Sequence, residues 1–489
     1  MRELHAKENW MDWLASICKL GYLFLGLSTF TSVLYDSVIQ AILIRLVLVL
    51  GTICILVRVV FWEKYIKMPG WTLLAVFCVS FAVSTIANAQ YGGVTENGKW
   101  LIWTGIQFFL LYVCDTKRDT AYYKKEFHLF ANVMILYSFA ASVISLQYLI
   151  KRHLNVWETA DREILVTGFQ NGRLWGVYTD PNYGAVFAVI TIVLALFYVV
   201  KMKSWLKLPY IFSAIVNLVF LIFTDSRTGE IAFACSVGFF LFAVVSKKIS
   251  RKKIVIKGAV LLLCIGCMAI LAFGGMHLAK KQYNAKLQPI FAKMYPKEMS
   301  NAVVPPKSTV GRQAEISKDV TNGRFAIWES GMQVWKTSPL VGTGYTTFVN
   351  YTKKHLPQTY VVNNSQSPYT SLHNAFLNVL VYQGLIGAVI LAAFIIYIVK
   401  LLWRLIWNDE DEQYLMNMTM TAAVGAVFVA MLFLLEGLYT NSPAAFVLWT
   451  FLGLLMQYRV RAKKNETDQM NEKSQSSEKK IEQYHTAKE

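Results

Sequence analysis

The sequence predicts an all-α polytopic membrane protein of about twelve transmembrane helices, carrying a large extracytoplasmic loop with short helices of its own. Three observations predict it. Apolar residues make up 55% of the 489 residues and charged residues only 16%, against roughly 25% charged in a soluble domain. Apolar runs of spanning length recur along the chain. The loops between them alternate between rich and poor in Lys and Arg, the asymmetry that orients helices in a bilayer.

The runs are Trp13–Leu34, Ile39–Val60, Trp71–Ala89, Trp100–Cys114, Leu129–Ile150, Tyr183–Val200, Leu208–Phe223, Ile231–Val245, Ile254–Gly274, Asn374–Val399, Leu415–Leu435 and Ala444–Tyr458. The first ten residues, MRELHAKENW, are polar and lead into a full-length apolar segment, so the first run reads as a retained span and not a cleavable signal. Lys64 and Lys67, the group Lys117, Arg118, Lys124 and Lys125, then Lys201, Lys203 and Lys207, and SKKISRKKIVIK (Ser246–Lys257) mark cytoplasmic loops. YDSVIQ and EGLYTNSP carry almost no basic residues. Both termini are therefore expected in the cytoplasm. Residues 1–458 form the membrane domain, with the outer loop 275–372 inserted between spans nine and ten. Residues 459–489, polar and poor in aromatics, are expected to be a disordered cytoplasmic tail. A second outer loop runs from Lys151 to Asn182.

Composition also excludes. The formal charge of +18 is accounted for by basic cytoplasmic loops, so no nucleic-acid partner is expected. All seven cysteines lie in or at the ends of apolar runs, which argues against a disulfide-braced external domain. Cys264 and Cys267 sit in an apolar helix with no other ligand-type residue near, and NDEDEQ (Asn408–Gln413) reads as a solvated charge run.

Four polar constellations fall on the expected outer side. FTDSRTGE (Phe223–Glu230) joins spans seven and eight; Arg227 there is either a functional cation or a snorkelling anchor, Gly229 permits a sharp turn or close approach, and Ser226 or Asp225 can cap the following helix. In NGRFAIWESGMQVWKTSPLVGTGYTTF, Asn322 is expected as N-cap and Pro339 as helix stop; Arg324, Trp328, Gly331 and Trp335 share one face. An arginine above an aromatic stripe suits a lipid-borne phosphate, and the same helix can lie on the membrane surface. In SPYTSLHNAFLNVLVYQGLIG, Ser371 as N-cap puts His373 in the first turn, where a helix N-terminus keeps imidazole neutral and fit for general base catalysis; a hydrogen-bonded interfacial histidine is the alternative. His277 and His355 lack that context. In NGRLWGVYTDPNYG, Asp180 as N-cap with Pro181 behind it is a helix start, and Arg173 lies just ahead.

GRLWGVYTDPN, SRTGE, NGRFAIWESG…PLVGTGYTTF and HNAFLNVLVYQGLIG, in that order between Arg173 and Gly387, resemble the O-antigen ligase and polysaccharide polymerase (Wzy/WaaL-type) membrane glycosyltransferases. The resemblance implies a GT-C-like fold and a donor glycan on a polyprenyl pyrophosphate at the outer leaflet. The glycan would pass to a hydroxyl of a polysaccharide, lipid or protein, with inversion and without a metal or other cofactor. It implies pyrophosphate-binding roles for Arg227, Arg324 and Arg173, a catalytic role for His373, and supporting roles for Trp328, Asn374 and Ser226. The first outer loop holds no acidic pair of the sort metal-dependent relatives use. Polymerase and ligase share these motifs and stay undecided.

The alternative is a lipid-linked oligosaccharide flippase. Against it, no inverted repeat and no Gly/Pro-interrupted helices in matching halves are visible, and charges inside the spans are sparse, Arg45 being the main exception.

Overall fold

The computed structural model describes residues 2–159, 164–249, 253–295, 309–312, 323–364, 367–407 and 413–461. Each of the twelve apolar runs lies wholly or largely on a helix. These are α1 (Arg2–Thr29), α2 (Val38–Val60), α3 (Trp71–Ala87), α4 (Val94–Ile106, extended by a wider turn Gln107–Tyr112), α5 (Thr120–Lys151), α6 (Pro181–Lys201), α7 (Leu208–Thr224), α8 (Arg227–Ser246) and α9 (Ile254–Met294). After α10 (Arg324–Thr337) and α11 (Phe348–His355) in the large loop come α12 (Ala375–Ile406), α13 (Tyr414–Met431) and α14 (Pro443–Arg461). Among the described residues, nine helices are long and apolar enough to cross a membrane, and α3 is a shorter apolar helix. The chain is an all-α multi-pass membrane protein. The tail beyond 461, Asn322 and most of NDEDEQ lie outside the described residues.

Short polar side chains start the helices. Ser37, Asp119, Asp180, Ser226 and Asn374 each accept a first-turn N–H at α2, α5, α6, α8 and α12. Helices α6, α13 and α14 are mostly buried, whereas α2 and α9 leave most of their length exposed. That contrast separates a protein core from helices facing hydrocarbon. One charge pair lies in the core: Lys19 of α1, which the run-by-run reading passed over, meets Glu126 of α5 at 2.8 Å.

Three features differ from the sequence reading. The loop after α5 carries a small antiparallel sheet, β1 (Leu154–Glu158), β2 (Ile164–Gln170) and β3 (Arg173–Gly176), in the order β1-β2-β3. Ser32 N–H donates to Val177 O at 2.8 Å, tying the sheet to the end of α1. Helix α9 does not stop at Gly274 but runs on to Met294, because wider turns at Leu271–Gly275 and Tyr283–Leu287 absorb the irregularity.

The third is a break inside α12. Gly384 has φ 64°, in the left-handed region. The segment after α10 plugs into the break: Leu385 N–H donates to Pro339 O (2.8 Å), Ile386 N–H to Leu340 O (3.2 Å), Thr343 N–H to Val381 O (2.9 Å) and Gly344 N–H to Tyr382 O (2.9 Å). From α3, Ser84 Oγ donates to Tyr382 O (2.6 Å) and Asn88 Nδ2 to Gly342 O (3.0 Å). Backbone groups freed within a membrane helix are thus satisfied by protein. PLVGTG and YQGLIG are the two halves of one joint. A Cβ on Gly384 would stand 2.1 Å from Leu340 O. Gly384→Ala is therefore expected to lower the thermal midpoint of the detergent-purified protein sharply: the left-handed backbone alone costs about 1–3 kcal/mol, and the clash adds to it. An unchanged melting curve would contradict the joint.

Candidate active site

The sequence-selected residues converge on the end of the bundle formed by the starts of α6, α8, α10 and α12. Arg173 on β3 is buried. Its Nε donates to Thr224 O at 2.8 Å and its Nη2 to Asn182 Oδ1 at 2.7 Å. Ser226 Oγ donates to the same Asn182 oxygen (2.9 Å) and accepts from Gly229 N–H (3.2 Å). Asn182 Oδ1 therefore holds Arg173 and Ser226 side by side. Gly229 serves a close approach: a Cβ there would lie 2.7 Å from Ala185 Cβ and 2.8 Å from Leu221 Cδ1. Burial pulls the Arg173 pKa down to about 10, aided by Arg312 and Arg324 and opposed by Asp180 and Asp225. It stays charged near neutrality.

Arg227 is the first residue of α8, half-buried. It lines a cavity of about 800 Å³ together with Asp225, Glu230, His277, Lys280 and Arg312. Asp225, in the left-handed region at φ 49°, does not cap α8. Its Oδ1 accepts from Lys280 Nζ at 2.6 Å, and Arg312 Nε lies 3.4 Å from its Oδ2. Burial would raise the Asp225 pKa, but Lys280, Arg312 and Arg173 outweigh it and hold the carboxyl below its usual range. His277, set aside from sequence, lines this cavity because α9 extends past Gly274.

Helix α10 begins at Gly323 (φ 75°), one residue after the expected N-cap, with Arg324 in its first turn. The Arg324 guanidinium stands over the Phe433 ring at 5.7 Å. Burial lowers its pKa; Asp180 opposes this, and the charges of Arg227 and Arg312 add to it. Two of the other predicted residues of the α10 face pack toward the His373 turn: Trp328 Nε1 donates to Leu372 O at 2.9 Å, and a Cβ on Gly331 would meet Leu372 Cδ1 at 2.4 Å; the third, Trp335, donates instead to Pro339 O at 3.1 Å.

His373 is not in the first turn of a helix. Asn374 is the N-cap of α12, its Oδ1 accepting from Phe376 and Leu377 N–H at 3.0 Å each. His373 precedes it with φ 49°, an uncommon conformation for a residue with a side chain. Ser371 Oγ accepts its N–H at 3.0 Å. Leu372 N–H donates to Asn378 Oδ1 at 2.8 Å, and Asn374 Nδ2 to Leu432 O at 3.0 Å. Tyr369 stands edge-on to the His373 ring at 6.0 Å. This turn is held on every side. The ring is half-buried. Its pKa lies below the ordinary value because burial disfavours imidazolium, Arg324 adds to that, and Asp180 opposes it. The cause assigned from sequence, a helix N-terminus, is thus replaced by burial and a neighbouring cation.

Two further groups escaped the sequence reading. Arg312 enters the arginine cluster, and Gly-Arg pairs are the signal for it: Gly172–Arg173, Gly311–Arg312 and Gly323–Arg324 each place a positive-φ glycine before a site arginine. Glu436, in the α13–α14 connection, is buried and bonded by Ser442 Oγ. Burial, partly offset by that bond and by the Gly437 backbone, pushes its pKa up to about 8.

The arrangement offers an imidazole of lowered pKa in the field of Arg324, which in turn lies in the fields of Arg227 and Arg312. No curated protein matches the chain. The family model described as O-antigen ligase matches residues 212–392, a stretch that holds Arg227, Arg312, Arg324 and His373 and leaves out Arg173. Over those residues the chain is similar to the O-antigen ligase family.

Proposed function

We propose that the protein transfers a glycan from a polyprenyl pyrophosphate, at the extracytoplasmic face of the cell membrane, to a hydroxyl of a growing polysaccharide, a lipid or a protein. The family match supports a membrane enzyme that transfers glycosyl groups from a lipid-linked donor. The observation that carries the finer reading is the docking of α10 on the His373 turn: Trp328 bonds Leu372 O, Arg324 starts the same helix, and its charge acts on His373. His373 takes the acceptor proton as the acceptor oxygen bonds to the anomeric carbon. The bond from that carbon to the pyrophosphate oxygen breaks from the opposite side, inverting the centre. Arg227, Arg324 and Arg173 stabilise the departing charge. Trp328, Asn374 and Ser226 hold the turns that carry these groups. Both termini face the cytoplasm, and the site opens on the extracytoplasmic face.

The test is reconstitution in liposomes with a polyprenyl-pyrophosphate-linked oligosaccharide and an acceptor. Expected are a lengthened or ligated glycan and release of polyprenyl pyrophosphate, both persisting in a metal chelator. Movement of intact lipid-linked glycan across the bilayer without release would instead establish a flippase. Activity lost to the chelator and restored by a divalent ion would overturn the metal-free displacement.

A further inference from the structure

The cavity between α8 and α9 contains a basic network that the residues named so far leave unexplained. Lys280, on the extension of α9, is buried, and its Nζ meets Asp225 Oδ1 at 2.6 Å and Glu230 Oε1 at 3.3 Å. Asp225 in turn receives Arg312 twice, Nε at 3.4 Å from Oδ2 and Nη2 at 3.0 Å from the backbone O. Arg312 has a second anchor in its backbone: Gly311 N–H donates to Gly172 O at 2.8 Å. A Cβ on Gly172 would lie 2.6 Å from Gly311 O, so only glycine lets these two Gly-Arg turns meet. Arg173 and Arg312 are thereby fixed side by side from different parts of the chain, and each lies in the other's field.

Charge balance says what such a site takes. Of the groups that line the cavity, Arg227, Arg312, Lys280 and Lys281 are four cations, set against two carboxylates, Asp225 and Glu230. The surplus is two positive charges, the complement of a pyrophosphate diester with one negative charge on each phosphate. A planar guanidinium held from one side presents its remaining N–H groups to the cavity, and Arg312 and Arg227 both line it.

We propose that Arg312 is a further donor-binding residue, placed by Asp225 and Lys280, which grips the pyrophosphate beside Arg227. The inference rests on the donor assigned above. Lys280 is a positioning residue: it fixes the Asp225 carboxylate, and Asp225 fixes Arg312. The extension of α9 past the membrane exists, on this reading, to carry Lys280 to that point.

The test measures the KM for lipid-linked donor and the inhibition constant of polyprenyl pyrophosphate on the reconstituted full-length chain. Arg312→Gln is expected to raise both by about tenfold or more, the loss of a charge-assisted hydrogen bond. Polyprenyl monophosphate serves as the second probe, and its inhibition is expected to change less. Lys280→Met is expected to raise the same two constants with a smaller change in kcat, and Lys280→Arg to restore them. A purely structural lysine would reduce the amount of folded protein and leave both constants in place. Should Arg312→Gln fail to accumulate, Arg312→Lys is expected to give intermediate constants. Unchanged constants in the Arg312 variants, with Arg227→Gln raising them, would overturn this inference and leave the donor assignment standing. Unchanged constants in Arg312 and Arg227 variants alike would overturn both.

Discussion

Replacing His373 with alanine is expected to lower glycan transfer by ~10²–10⁴-fold, the range of a general base, while the protein still inserts and melts at its usual temperature. The fold has little to lose. His373 lies outside α12, whose cap is Asn374, and the Trp328–Leu372 and Leu372–Asn378 bonds do not use the imidazole. The left-handed backbone is held by Ser371 and its neighbours. The acid side of the pH profile gives a second readout. The base works when neutral, so kcat/KM is expected to fall as pH drops through the His373 pKa. Burial and Arg324 both place that pKa below the ordinary value of about 6.5, so the enzyme keeps its rate to lower pH than an ordinary histidine allows. Full transfer by His373→Ala with lipid-linked donor would remove the residue from the chemistry.

Arg324→Gln is expected to have the next largest effect, a drop in kcat of about 10²–10³-fold, as when one preorganised charge stabiliser is lost. Arg324 stands at a helix start, half-buried over the Phe433 ring, in the fields of Asp180, Arg227 and Arg312. It does two things at once. On the proposed mechanism it waits where negative charge develops, and its own charge adds to burial in lowering the His373 pKa. Removing it takes away one of the two influences that depress the His373 pKa, so the acid limb of the profile is expected to shift to higher pH. A lower kcat with the acid limb unmoved would show that Arg324 acts on the donor alone. An unchanged kcat would leave it a helix anchor.

Much of this was legible in the sequence, for physical reasons. A helix crossing hydrocarbon must be apolar over its length; the twelve runs fall wholly or largely on helices, and among the described residues nine of these helices are long and apolar enough to cross. Polar residues at the ends of such runs stand out, so Arg227 and His373 could be picked by eye, and Arg324 by the Trp328 and Trp335 that share its helix face. What failed was local competition. Ser371 and Asn374 are both good caps; Asn374 takes two N–H groups at the helix start, and the Ser371 hydroxyl is spent on His373. Gly274 and Gly275 look like a stop, yet the helix passes through them. The strands are short, and β1 and β2 pair through partners such as Leu154 and Gly168 whose match is set by tertiary contact, not by a clear alternation. Arg312 was lost among the many basic residues of a long polar loop, where single charges carry little meaning.

The break in α12 changes how that helix should be counted. Leu385 and Ile386 give their N–H groups to Pro339 and Leu340, and Thr343 and Gly344 take the carbonyls of Val381 and Tyr382. Two rungs of the helix ladder are therefore missing at Gly384. A helix transmits tilt along its axis through those rungs. The load between residues 375–383 and 385–406 passes instead through the segment after α10, which holds Leu385 and Ile386 on one side of the break and Val381 and Tyr382 on the other. Residues 375–383, bolted to α3 and to the segment after α10, stay with His373. Mechanically residues 375–383 belong with the segment that crosses them, and the turn carrying His373 is anchored to that joint as much as to its own helix.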